Sequence, residues 1–169
     1  MKKLIFFSCL LILVFVRSSF AEGHVRPYFS TGLCFVEYEF TGGSFNPTAI
    51  SFIAGDEFSQ NIAAEWRFYT GLEDDSADNV GVDYFLGAYV RGMIAVGRVK
   101  PYLIAGLSAG ELTSKAPNDL RKHDSGFSYG LGADFIFSEK VVMNLEYLQL
   151  TKKTDFEFST FSLGAKFFF

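Results

Sequence analysis

A histidine and a serine two residues apart are the side chains of this chain that most resemble a catalytic pair. His123, Asp124 and Ser125 place a general base beside a nucleophile, as acyl transfer requires. The segment lies in a polar stretch that predicts a solvated loop, and the nearest downstream glutamate, Glu139, is expected at the opposite end of the molecule. We therefore predict no catalytic residue and no enzymatic activity.

Acidic residues form the one candidate for metal binding. Glu73, Asp74, Asp75 and Asp78 lie close together in the sequence and could bind Ca²⁺ weakly. A solvated acidic loop explains the same pattern, and no group of His, Asp and Glu has the spacing of a metal site. The sequence therefore predicts no metal and no cofactor.

Other charged residues alternate with apolar ones along the chain. They are Glu57, Glu65, Arg67, Asp83, Arg91, Asp134, Glu146 and Lys166. Successive side chains of a strand point to opposite faces, so this alternation places the charges on one face. Because isolated buried charges cost several kcal/mol, we expect them to pair across strands, above all Arg67 and Arg91 with neighbouring carboxylates. Such a network would plug an interior; the alternative is a narrow ion path.

Strand-like alternation recurs along the whole chain after residue 21 and predicts eight strands. The predicted strands are 27–40, 48–58, 61–72, 81–97, 101–112, 126–137, 140–150 and the terminal strand 161–169. The connections are alternately short and long. The short ones are 59–60, 98–100 and 138–139, and the long ones are 41–47, 73–80, 113–125 and 151–156. This alternation is typical of membrane barrels with short turns at one end.

The two faces of the strands differ in residue size. One face carries Phe, Trp, Tyr and Leu, and the other carries Gly, Ser and the charged residues. Eight strands enclose a lumen only wide enough for side chains, so the glycine-rich face must point inward and the bulky face outward. A soluble barrel of the lipocalin type could not expose so large an apolar band to water. The prediction is an all-β fold, an eight-stranded antiparallel up-and-down transmembrane β-barrel.

The first residues predict export. Lys2 and Lys3 precede the apolar run 4–16, and 19–21 offers small residues for cleavage, so we expect a signal peptide at 1–21 and one barrel domain at 22–169. Cleavage would leave 12 basic residues against 19 acidic ones, which disfavours nucleic acid as a partner. Cys34 would be the only remaining cysteine, so no intrachain disulfide is expected.

The end of the chain carries a recognisable pattern. Apolar residues occupy every second position back from the last one, namely Phe161, Leu163, Ala165, Phe167 and Phe169. Together with residues 100–110 (KPYLIAGLSAG) and 129–134 (YGLGAD), this strand resembles the outer membrane protein β-barrel domain family, with its eight-stranded OmpA/OmpX-type barrels. The resemblance covers nearly all of the chain after residue 21 and includes no peptidoglycan-binding domain.

The resemblance implies a set of partners and a location. It implies the outer membrane of a Gram-negative bacterium, contact with its lipid and lipopolysaccharide, and a monomeric barrel. It also implies that periplasmic chaperones and the assembly machinery handle the chain, with the terminal strand as the assembly signal. Aromatic residues near strand ends are expected to form the interfacial girdles of such a barrel. These residues are Tyr28, Trp66, Tyr69, Tyr84, Tyr102 and Tyr147.

Three functional classes are compatible with this resemblance. The first is a structural or surface-interaction protein, such as an adhesin, a resistance factor or a surface antigen, that uses its long loops to contact surface ligands. The second is a small porin-like channel. The third is an enzyme that modifies lipid A, because two members of this fold class act on that lipid with a histidine and a serine. The positions of His24, beside the expected cleavage site, and of His123 disfavour the third class.

Overall fold

The computed structural model describes residues 25–40, 43–72, 80–114, 121–153 and 156–169. The expected signal peptide, His24 and the acidic segment 73–78 lie outside these residues. Among the residues described, no helix has the length and apolarity that crossing a bilayer would require.

Nine strands form one antiparallel sheet that closes on itself. They are β1 (Arg26–Phe40), β2 (Gly43–Phe45), β3 (Thr48–Glu57), β4 (Ile62–Gly71), β5 (Val80–Met93), β6 (Val99–Ser114), β7 (Arg121–Ile136), β8 (Val141–Lys153) and β9 (Phe156–Phe168). Sequential neighbours pair from β3 to β9, and β1 pairs with both β3 and β9. The β1–β9 ladder runs from Tyr28 opposite Phe168 to Phe40 opposite Phe156. The predicted eight-stranded closed barrel is confirmed, with β2 as a short addition.

The predicted long connections are partly strand. Residues 43–45 of the predicted loop 41–47 form β2, which pairs with the end of β1. The predicted loop 113–125 was too long, because β6 continues to Ser114 and β7 begins at Arg121. In the same way β8 and β9 extend into the predicted loop 151–156. Polar residues indicate exposure to water, but their backbone can still form hydrogen bonds with a neighbouring strand. The amino-acid composition of a segment does not show whether such a strand lies beside it.

The short turns lie together at one end of the barrel. Ser59 Oγ accepts hydrogen bonds from the backbone N–H groups of Asn61 and Ile62 at 3.2 and 3.1 Å, and Ser138 Oγ accepts the equivalent pair in its own turn. Such serine turns satisfy backbone donors where the ladder ends. The third turn is centred on Gly97, whose φ of 62° suits glycine, so Val99 and Lys100 belong to β6 and not to the predicted turn 98–100.

Alternation along each strand separates the two faces of the wall. On β6, Leu103 is 69% exposed and points outward, whereas its neighbours Tyr102 and Ile104 are 4% and 3% exposed and point inward. The outward face carries exposed Phe, Leu, Val and Trp side chains on all eight barrel strands. The wall therefore has the predicted division, with bulky apolar side chains on its outer face and the charged side chains on its inner face.

Glycines on the inner face leave room for aromatic rings from neighbouring strands. A Cβ atom on Gly110 would lie 2.5 Å from the Phe85 ring and 2.6 Å from the backbone oxygen of Tyr84. A ring that covers a strand glycine fills the space that the missing side chain leaves. The inner wall thus alternates rings and glycines because the lumen cannot hold a side chain at every position.

We predict that Gly110→Ala destabilises the folded barrel by about 1–3 kcal/mol, because the added methyl group overpacks against Phe85 and the Tyr84 backbone. The matched control is Gly92→Ala, since a Cβ atom at Gly92 would meet nothing within 4 Å. Urea unfolding in lipid vesicles measures both effects. Equal midpoints for the two variants would contradict the packing described here.

Candidate functional site

The barrel interior holds six charged side chains in one connected network. The guanidinium of Arg67 contacts both carboxylate oxygens of Glu146, one of them at 2.8 Å, and lies 2.5 Å from Glu65 Oε2. Arg91 donates to Glu65 Oε1 at 2.8 Å and to Asp134 Oδ2 at 2.9 Å.

Lys166 completes the network by donating to Asp134 Oδ2 at 2.8 Å. Acid and base alternate along the path from Glu146 to Lys166, so three positive charges balance three negative ones. All six side chains are almost fully buried. Balance of this kind offsets the cost of removing each charge from water.

Tyrosines surround this network. The Tyr28 hydroxyl donates to Glu65, the Tyr102 hydroxyl donates to Glu146 Oε2 at 2.9 Å, and the Arg67 Nη1 donates to the Tyr69 hydroxyl at 3.0 Å. Arg91 also lies over the Tyr102 ring at 3.5 Å, and the Lys166 ammonium lies 4.4 Å from the centroid of Tyr28. Each of these contacts holds a charged group in place by a hydrogen bond or a cation–π interaction.

Register explains how one lumen accommodates such long side chains. Glu65 lies opposite Gly55 of β3, and Arg67 lies opposite Gly87 of β5. Glu146 likewise lies opposite Gly132 of β7. At each of these glycines a tyrosine ring takes the space of the missing side chain: Tyr28 at Gly55, Tyr89 at Gly87 and Tyr102 at Gly132. Register therefore brings rings and charged side chains together in one lumen.

Two of the eight charges predicted for the interior are not part of this network. The Glu57 carboxylate is buried nearer the turns, where Oε2 lies 3.5 Å from Lys100 Nζ and 3.9 Å from Arg26 Nη1. Asp83 lies in a bulge of β5, between the paired residues Val82 and Tyr84, and only its backbone is described. The sequence places the other six on the interior face, but only the structure shows which partner each one has.

The prediction of interfacial aromatics was wrong for Tyr28, Tyr69 and Tyr102. These three are buried inside the barrel, where their hydroxyl groups belong to the network. Each of these tyrosines lies an even number of positions from the inward-facing residues of its strand, so its side chain points inward as well. This alternation decides the face of a side chain, and its distance from the end of the strand does not.

The other predicted aromatics lie on the outer wall or its edge. Trp66 is 64% exposed, Tyr147 is exposed on the outer face, and Tyr84 is half-buried. On β9, Phe161, Leu163 and Phe167 are exposed and Ala165 is half-buried. Phe169 follows β9 and is exposed as well.

An apolar cluster fills the interior above the network, on the side away from the turns. The Phe85 and Phe158 rings stack with centroids 4.7 Å apart, and Leu148, Leu150 and Cys34 are buried in the same cluster. Sequence reasoning missed it because it described the inner face by its glycines, serines and charges, although these apolar residues have the same parity as that face. Leu148 and Leu150 are two positions apart and face inward by alternation, so a bulky apolar residue at an inward position is the signal that could have shown the cluster.

The histidine and serine considered for catalysis lie on a strand and not in a loop. His123 belongs to β7 and pairs in register with Glu111 of β6, and Ser125 is an exposed residue of the same strand. Glu139 lies in a turn at the other end of the barrel. Among the described residues, no group of three His, Cys, Asp or Glu is arranged to hold a metal ion.

We predict that Arg67→Gln lowers the free energy of unfolding by about 3–5 kcal/mol, because it leaves Glu65 and Glu146 buried without their shared cation. The control Arg98→Gln, in an exposed turn, should change stability by no more than about 0.5 kcal/mol. Trp66, the only tryptophan of the chain, lies on the lipid-facing wall and reports unfolding by fluorescence. Equal stability of both variants would show that the network contributes nothing to the free energy of unfolding.

Comparison with solved structures shows the same architecture. Neisserial surface protein A superposes with a TM-score of 0.69 at 18% identity, covering 85% of this chain and 97% of that one. Ail, the attachment invasion locus protein of Yersinia pestis, gives 0.65 at 18% identity, covering 88% and 100%. The N-terminal barrel of Pseudomonas aeruginosa OprF gives 0.61 at 14% identity, covering 83% and 97%. At these identities the likeness establishes the fold alone.

The family follows from the sequence match. Comparison with curated protein sequences gives no significant match. Residues 7–169, however, match the family described as Outer membrane protein beta-barrel domain. The closed eight-stranded wall and its apolar exterior agree with that match. The chain belongs to the outer membrane protein beta-barrel domain family.

Proposed function

We propose that this protein is a non-conducting, non-enzymatic barrel that anchors in the outer membrane and presents its hairpin ends to ligands at the cell surface. The filled interior carries this proposal. Each of the eight barrel strands contributes nearly fully buried side chains, with the charge network nearer the turns and the apolar cluster beyond it. A lumen of eight strands is only as wide as the side chains that fill it, so little room remains for a water column.

The outer ends of the hairpins differ in charge, which supports a recognition role for them. The ends of the β1–β3 and β4–β5 hairpins contribute seven carboxylates and no base, at 37, 39, 73, 74, 75, 78 and 83. The ends of the β6–β7 and β8–β9 hairpins contain both signs. Varied polar ends of this kind contrast with the tight turns at the other end, and surface segments on a rigid scaffold are where binding residues concentrate.

A similar structure supports attachment as the form of surface interaction. Ail of Yersinia pestis was solved in complex with the heparin analogue sucrose octasulfate, and its name is that of an attachment protein. An attachment role for the present chain is therefore the form of surface interaction that we propose. The lipid contacts of the wall, removal of residues 1–21 and recognition of the 161–169 strand by the assembly machinery belong to the same proposal.

A conductance measurement distinguishes a barrel with a filled lumen from a small channel. We expect the purified protein to show no steady single-channel current in planar bilayers, because paired charges and stacked rings occupy the lumen. A general porin in the same bilayers serves as the positive control. A stable conductance level from the unmodified protein would replace the anchor proposal with the channel alternative.

Attachment is tested on cells that express the protein and otherwise lack surface adhesins. We expect such cells to bind an epithelial surface several-fold better than cells that carry a variant without residues 73–79 and 115–120. A difference in gel mobility between unboiled and boiled samples serves as the folding control for both. Equal binding by the two strains would show that these segments do not mediate attachment.

A further inference from the structure

The ladder between β1 and β9, which we call the seam, has more than one register that alternation of its faces allows. It runs from Tyr28 opposite Phe168 to Phe40 opposite Phe156. A slip of one residue would turn every side chain of a strand to the wrong face. A slip of two residues keeps both faces and all but two of these pairs. Some other feature of the seam must exclude slips of two.

The lipid-facing side of the seam does not exclude them. Its side chains are nearly all apolar, namely Phe29, Thr31, Leu33 and Phe35 on β1 and Phe161, Leu163, Ala165 and Phe167 on β9. A slip of two residues would leave all of them on the lipid side and would pair most of them with another apolar residue. Preferences among such cross-strand pairs are small. The inner face therefore has to select the register.

On the inner face, the Tyr28 ring meets the end of the terminal strand. The ring centroids of Tyr28 and Phe168 lie 5.2 Å apart, and Lys166 Nζ lies 4.4 Å from the Tyr28 centroid. The Tyr28 hydroxyl is fixed by Glu65 of β4, and the Lys166 ammonium is fixed by Asp134 of β7 at 2.8 Å. Because a residue of a strand spans about 3.4 Å, a slip of two moves β1 along β9 by about 7 Å, and neither ring contact keeps its geometry.

Arg26 extends these inner contacts toward the turns. Its guanidinium lies 4.4 Å from the Phe168 centroid, and Nη2 donates to the backbone oxygen of Glu139 at 2.9 Å. Glu139 precedes β8, so the Arg26 side chain passes the end of β9. Glu57 Oε2 lies 3.9 Å from Arg26 Nη1 on the β3 side. A hydrogen bond needs an N···O distance near 3 Å, so a slip of about 7 Å would break the bond to Glu139.

Two glycines face each other farther along the seam. Gly32 lies directly opposite Gly164. A Cβ atom on Gly32 would lie 2.7 Å from the backbone oxygen of Leu163. A Cβ atom on Gly164 would lie 3.0 Å from the backbone oxygen of Thr31 and 2.5 Å from Asn144 Oδ1. The two strands therefore approach each other too closely at this point for a side chain on either one.

A slip of two residues removes this match of glycines. It would bring Cys34 or Ser30 of β1 opposite Gly164, depending on its direction. The residue opposite Gly32 would become Lys166 or Ser162. Each of these residues carries a Cβ atom into the close approach, and the backbones can separate only by weakening ladder hydrogen bonds.

We propose that Arg26, Tyr28 and Gly32 form a register key on β1, which accepts the terminal strand in one register only. The two side chains contact the end of β9, and the glycine admits Gly164. Selection takes place on the lumen side, where successive residues differ in size and charge, whereas successive residues on the lipid side are alike. The register key acts in closure of the barrel and is independent of the proposed attachment and of conductance.

Disulfide formation on the lipid-facing side measures the register. Cysteine pairs are introduced into the complete protein with Cys34→Ala, folded in lipid vesicles and oxidised with copper phenanthroline. Thr31→Cys with Ala165→Cys reports the register of the structure, because these residues lie opposite each other. Thr31→Cys with Leu163→Cys or with Phe167→Cys reports the two slips. Opposite Cα atoms are about 4.5–5.5 Å apart and positions offset by two about 7–8 Å, so only opposite residues form a disulfide readily.

Moving the glycine should move the register. We expect the unmodified key to give the 31–165 disulfide at least about tenfold faster than either slipped disulfide. The combination Tyr28→Leu, Ser30→Gly and Gly32→Ser removes the ring and places the glycine where a slip of two brings it opposite Gly164. This variant should increase the 31–163 disulfide at least about tenfold. The matched control Tyr28→Phe keeps the ring and should form the same disulfides as the unmodified key.

Heat-dependent gel mobility shows which variants have folded. A folded triple variant that forms only the 31–165 disulfide would overturn the proposal, because the register would then be set elsewhere in the barrel. If the triple variant does not fold, Arg26→Gln combined with Tyr28→Leu takes its place. That pair should raise the slipped disulfides at least about threefold above Tyr28→Phe, since both ring contacts and the bond to Glu139 are lost. Equal yields from the two would also overturn the register key.

Discussion

The ladder between the first and last strands is the constraint on which the rest of this molecule depends. In the hydrocarbon of a bilayer no water can satisfy a backbone N–H or C=O group, and an open sheet would leave two such edges. β1 and β9 remove both edges by pairing from Tyr28 opposite Phe168 to Phe40 opposite Phe156. Once that ladder forms, strand number sets the diameter of the barrel, and the described residues within the bilayer face either lipid or a narrow lumen.

That narrow lumen explains the interior. Charged side chains that point inward cannot reach bulk water, so each must find a partner among the others, and Arg67 and Arg91 each join two carboxylates. Space is as limiting as charge. Glycines lie opposite Glu65, Arg67 and Glu146, and tyrosine rings fill the space at these glycines. The same packing that stabilises the barrel makes it a scaffold and directs any recognition to its outer ends.

The outer ends follow different rules because water is available there. Backbone groups beyond the membrane need no ladder partner, so β8 can leave β7 at Leu150, and β1 can take β2 as an additional neighbour. These departures from the regular barrel lie where the sequence loses its strict alternation. Composition predicted long loops in this region, and strand pairing shortened them, because hydrogen bonds between hairpin strands do not require apolar residues.

The sequence by itself determined the fold. Its side chains alternate with a period of two, bulky residues on one face and glycines and charges on the other, and strands with this pattern are stable as a closed barrel in lipid. It also identified Glu65, Arg67, Arg91, Asp134, Glu146 and Lys166 as interior residues, because parity is a local property of a strand. Tertiary structure alone decided which acid each base contacts, that Tyr28, Tyr69 and Tyr102 belong inside, and where β7 parts from β8. Those outcomes depend on the register between strands and on bulges, and both are set by packing between residues that are distant in the chain.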